Sequence, residues 1–165
     1  MPAHSDAFLY LAALCMGAAG GMRSMLAPAT TALTLWRRPE IAPADAPGRW
    51  LAMPAVAVVM ACLAVGELVA DKLPAIPDRI APGPLVARLV SGGVCGAAIA
   101  QVGHASAVRG ALAGALGALL SAFGAFHARR ALGRATGIRD PYIGALEDVI
   151  ALAIAGGTLA ALTGA

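Results

Sequence analysis

Arg23, Glu67, Asp71, Glu147 and Asp148 are the residues of this chain whose type and setting could do chemistry. Glu67 and Asp71 are four apart, so on a continuous helix they share one face. Two carboxylates on one face repel unless a proton, a cation or an arginine relieves them. Glu67 follows a long uncharged run and lies a turn inside Asp71, where burial of its charge in hydrocarbon would be costly. The competing reading is a polar hem at the end of an apolar helix.

Glu147 and Asp148 open the last apolar run. Acids in a first turn complement the helix dipole, which is one reading of the pair. The helical wheel gives another. Asp148 falls on the small-residue stripe Gly144, Ala151 and Ala155, opposite Leu146, Val149 and Ile150, so it should face other helices. Arg23, in GGMRSM, either stays buried and needs a carboxylate, carbonyl or anionic partner, or snorkels to an interface after the glycines. Carboxylates from two helices meeting at one depth would suit a cation-binding or proton-relay site for an ion or small polar solute.

The elements that must position these residues are apolar helices. The chain has 165 residues, 59% hydrophobic and only 13% charged, with mean hydropathy +0.78. Soluble domains carry about a quarter charged residues, and apolar runs of about 20 residues read as membrane spans. We therefore expect an all-α, polytopic membrane bundle forming a single domain over 1–165, in contact with the lipid bilayer. Five spans are predicted: Ala7–Met22, Trp50–Ala70, Leu85–Val102, Val108–His127 and Tyr142–Thr163. The N-terminal run lacks the basic residues that precede a signal peptide's apolar core, so it counts as the first span.

The segment 24–36 is apolar but too short to cross a hydrocarbon core of about 30 Å as a helix. It could extend the first helix past a break at Gly20-Gly21 or Pro28, or re-enter as a half-helix. With five spans, the N-terminal side carries Lys72, Arg79, Arg88, Arg129, Arg130, Arg134 and Arg139, and the other side Arg23, Arg37, Arg38, Arg49 and Arg109. That slight excess leans toward a cytoplasmic N-terminus. MRSMLAPA at 22–29 and VRGALAGA at 108–115 are alike enough to suggest an internal repeat, although a chain so rich in Ala and Gly produces such likeness by chance.

Small residues on one face, Gly92, Gly96, Ala100 and Gly103, and again Gly110, Gly114, Gly117, Ser121 and Gly124, predict tightly packed helices. No phosphate loop, Ser-His-Asp or Cys-His arrangement is legible, and Cys15, Cys62 and Cys95 lie singly in apolar runs. Nothing in the sequence calls for a cofactor, and the basic balance of a membrane chain is no argument for nucleic acid.

GMRS at 21–24, GExxxDKxPxxPDR at 66–79 and the acids of GALED at 144–148 together resemble a family of small bacterial integral membrane proteins known only as a domain of unknown function. The resemblance implies a place in the bacterial inner membrane and assigns no activity. The leading expectation is a small transporter or channel, open to forming a homo-oligomer. The alternatives are a membrane-embedded enzyme acting on lipid headgroups and a non-catalytic membrane scaffold.

Overall fold

The structure is a computed structural model that describes residues 4–70, 81–137 and 140–164. Its helices are α1 (Asp6–Met22), α2 (Leu26–Arg37), α3 (Gly48–Leu51), α4 (Pro54–Ala70), α5 (Pro82–Val102), α6 (Ala107–Thr136) and α7 (Asp140–Thr163), with a 3₁₀ turn at Pro39–Ile41. Among the described residues there is no strand. Three helices, Pro82–Val102, Ala107–Thr136 and Pro141–Thr163, are long and apolar enough to cross a membrane, and Asp6–Met22 and Pro54–Val69 are shorter apolar helices. Each expected span is thus a helix, within a few residues at most ends. The exceptions are α6, nine residues longer at its C-terminus than expected, and α4, whose start is set by Pro54 after the separate turn of α3.

α1 is the central helix, packed by α2, α5, α6 and α7. Leu9, Ala13, Met16 and Ala19 on it are fully buried, against Cys95, Ile99, Ala155, Leu159 and Leu162. Glycine makes this packing close. A methyl group at Gly17 would collide with the Gly114 backbone, one at Gly114 with Gly92, and one at Gly117 with Leu14. The predicted small-residue faces of α5 and α6 therefore do meet, and α1 is the third party to them. Gly124 is the exception, since nothing stands within 4 Å of the space beside it. Gly103 packs on Leu9 instead of on α6.

The direction of each helix follows from contacts at the two ends of the bundle. At the first end, His4 Nε2 lies 3.1 Å from the Leu162 carbonyl, and Ser106 N–H donates to Tyr10 Oη at 3.3 Å. The loop between α2 and α3 is at this end too. Gln101, in the last turn of α5, accepts from Gly48 N–H at 3.1 Å and donates to the Ala46 carbonyl at 2.7 Å. At the second end, Arg23, Ser24 and Met25 meet side chains of α4, α5 and α7.

α1 therefore runs from the first end toward the second, and α2 runs back. Of the two readings of 24–36, the structure has the segment running back into the bundle, as the re-entrant alternative expected, and not extending the first helix. The loop 38–47 lies at the same end as residue 4, and both ends of the described chain are together. The reversal falls neither at Gly20-Gly21, which stay helical with Gly21 against Ala118 and Ser121, nor at Pro28. Pro28 sits in the first turn of α2, where a missing N–H costs little. The two halves of the suggested repeat also differ: Arg23 stands in the reversal, while Arg109 is in the first turn of an unbroken helix capped by Ser106.

Candidate functional site

A chain reversal inside a bundle leaves backbone groups without helical partners: the last carbonyls of α1 and the first N–H groups of α2. Side chains can satisfy such groups where helical partners do not. Three helices supply them.

From α4, Glu67 takes the start of α2. Its Oε1 accepts from Ser24 N–H at 2.9 Å and from the Ser24 hydroxyl at 2.7 Å, and its Oε2 accepts from Met25 N–H at 2.8 Å. Neither Ser24 nor Met25 caps α2 with its own side chain, so a carboxylate 43 positions away in sequence does so. A negative group is favoured at this position by the helix dipole as well as by the hydrogen bonds.

From α5, Arg88 takes the end of α1, its Nη1 donating to the carbonyls of Gly21 and Met22, each at 2.8 Å. Ser91, one turn on, donates its hydroxyl to the Ser24 carbonyl at 2.5 Å. In a regular helix that carbonyl would receive the N–H of residue 28, which as proline has none. Ser91 thus replaces the hydrogen bond that Pro28 cannot make.

From α7, Asp148 pairs with Arg23 through Oδ1 and Nε. The Arg23 side chain is only 6% exposed and Asp148 26%, so the arginine is the more deeply held partner. Next to this pair, Glu147 is buried and faces Arg129 of α6 at 3.7 Å. Arg129 also lies against Gly144.

The sequence expected Asp148 on the bundle side, and Ala151 and Ala155 on its stripe are fully buried while Leu146, Val149 and Ile150 are exposed. Glu147 is the more buried of the two acids. Both acids stand about two turns into α7, beyond the first turn where a helix dipole acts. Asp71 lies outside the described residues.

Glu67 and Asp148 reach consecutive residues of one reversal, as the shared-depth expectation required. They do not face each other across an empty space: each is engaged by the reversal itself. Among the described residues no group of three or more His, Cys, Asp and Glu side chains could hold a metal ion. An open cavity of about 500 Å³ at the first end is lined by Glu40, Asp45, Gln101 and His104 and by none of the expected site residues.

Sequence reasoning missed Arg88 as a site residue, counting it only as a loop charge. The available signal was an arginine within the first turn of the expected span Leu85–Val102, where a charge needs a partner or a route to the interface. It also missed the pairing of Arg129 with Glu147, because the continuation of α6 beyond His127 reads from composition as a basic loop.

With Arg88 and Arg129, the described residues of the cluster include three arginines and three carboxylates, and they join α4, α5, α6 and α7 around the reversal between α1 and α2. Comparison with protein-family models, with curated proteins and with solved structures finds no match to this chain.

Proposed function

We propose that this chain is a multi-pass protein of the bacterial inner membrane and that its α1–α2 hairpin is the moving part of a transporter or channel for an ion or small polar solute. Exposed aromatic residues support the membrane placement. Trp36 and Trp50, 41% and 61% exposed, lie toward the first end, and Tyr142, 67% exposed, lies at the second. Such belts mark the two interfaces of a bilayer. Asp148 follows Tyr142 by six residues, or about 9 Å along the helix, which supports a depth below that interface for the Arg23–Asp148 pair.

The observation that carries the reading is the reversal at Arg23–Met25, an interrupted backbone at membrane depth held by ionisable side chains of other helices. Interrupted helices of this kind form solute and ion sites in transporters, where helix ends present unpaired dipoles. Here Glu67 occupies the positive end of α2. A proton or cation taken up by Glu67 weakens its hold on Ser24 and Met25 and frees that end for a solute. Asp148 and Arg23 can exchange partners in the same step, while Arg88 keeps the end of α1 in place.

The test is flux in proteoliposomes. Glu67→Gln and Asp148→Asn should each abolish proton- or solute-dependent flux while the protein remains folded. Stably folded variants that move the same solutes as wild type would overturn the reading.

One observation favours a second reading, a non-catalytic scaffold: every charge of the cluster has a partner within the chain, so none requires a ligand. Wild-type flux separates the two: a scaffold gives none above that of empty liposomes, and for it the exchange Arg23→Asp with Asp148→Arg restores stability alone. The third reading, a lipid-headgroup enzyme working through carboxylates and Mg²⁺, has no supporting geometry among the described residues.

A further inference from the structure

α6 is longer than a membrane requires. Its 30 residues extend about 45 Å, against about 30 Å for a hydrocarbon core. The first 20, Ala107 to Phe126, match that thickness, and the last turns project about 15 Å past it.

One face of α6 runs without interruption through Leu116, Leu120, Phe123, His127, Arg130 and Arg134, at the spacing of an α-helical stripe. The first three are exposed apolar side chains, 48%, 60% and 39% accessible, and the last three are exposed basic ones. The face changes from hydrocarbon-compatible to polar within one turn, between Phe123 and His127, and carries positive charge from Arg130 onward. Arg130 lies over the Phe126 ring, 5.5 Å from its centroid. Arg134 Nε donates to the Arg130 carbonyl at 3.2 Å. Both guanidinium groups are thereby folded back along the helix toward the apolar boundary, and both residues are exposed. Arg129 is on another face and braces α7 through Glu147, so the stripe is distinct from the internal cluster.

We propose that His127, Arg130 and Arg134 form a binding surface for the phosphate headgroups of anionic lipids. Guanidinium groups suit this partner because their planar donors match phosphate oxygens in pairs. The stripe commits to a lipid rather than an acidic protein because it continues directly from a lipid-facing apolar surface, with no step or groove between. The inference rests on the membrane placement and is independent of transport.

The test uses the full chain purified in dodecyl maltoside and titrated with palmitoyl-oleoyl phosphatidylglycerol or phosphatidylcholine, bound lipid being counted by native mass spectrometry. Wild type should retain phosphatidylglycerol in preference. The variant Arg130→Gln/Arg134→Gln should lose that preference by roughly fivefold per arginine, and Arg109→Gln, at the other end of α6, should keep it. Should the double variant fold poorly, Arg134→Gln alone carries the same expectation at one arginine's magnitude. Equal retention of the two lipids by wild type, an unchanged ratio in the arginine variants, or an equal fall in Arg109→Gln would overturn the proposal. A chain that stays soluble and monodisperse without detergent would instead overturn the membrane placement.

Discussion

The Glu67 carboxylate and Ser24 are joined twice, through the backbone N–H and through the hydroxyl, with the adjacent Met25 N–H completing the set. A side chain on α4 thereby caps a helix to which it is not connected locally. The consequence is that α2 depends on an acceptor at position 67, and not merely on a charge.

Replacing Glu67 by Gln should lower stability by about 1–3 kcal/mol, because the amide has one accepting oxygen where the carboxylate has two, and no charge. Glu67→Arg should be worse and should not be rescued by Arg23→Glu, since an arginine has no acceptor for Ser24 and Met25. Equilibrium denaturation in mixed micelles measures both.

Arg23 and Asp148 should behave in the opposite way. Removing Asp148 takes one partner from the deeply held Arg23 and should lower stability by about 1–3 kcal/mol, the range for a hydrogen bond to a charged group. The exchange Arg23→Asp/Asp148→Arg should recover part of that loss. A double-mutant cycle read by the same denaturation gives the coupling, and additive losses would show that the pair contributes nothing.

Gly114 stands where α1, α5 and α6 converge, and a methyl group there meets the Gly92 carbonyl. Gly114→Ala should therefore separate helices and destabilise by about 1–3 kcal/mol, the usual range for overpacking. Gly156→Ala and Gly157→Ala have open space beside them and should be neutral or slightly stabilising through helix propensity. Thermal unfolding followed by size-exclusion chromatography distinguishes the two outcomes.

Gln101 holds the loop ahead of α3 with both ends of its amide. Gln101→Leu should leave Gly48 N–H without that acceptor and speed its hydrogen exchange by roughly tenfold, the equivalent of about one hydrogen bond. The amides of α1 should be unaffected.

Much of the architecture could be read from composition and spacing. The apolar runs marked the helices, and Gly92, Gly96, Gly110 and Gly114 marked where they meet. The stripe through Asp148 identified its inward face, and the cost of burying Arg23 required a partner of the type it has. The return of α2 was one of two readings of 24–36, and hydropathy could not choose between them because it reports the length of an apolar run and not its direction. The reversal is specified by side chains far away in sequence: Glu67, Arg88, Ser91 and Asp148. Arg88 was concealed by its nearness to a Pro-rich loop, and the end of α6 by its charge.

The partners Arg23 and Asp148 are separated by 125 residues, and this sets an order of assembly. Synthesis at about 5–20 residues per second means that several seconds or more pass between the appearance of the arginine and that of its carboxylate. Until α7 is in place Arg23 lacks its contact with Asp148, so the α1–α2 hairpin gains that contact only after the rest of the bundle has been made. The element made first is completed last, and a chain cut short before α7 would present an unfinished hairpin to the quality-control proteases of the membrane.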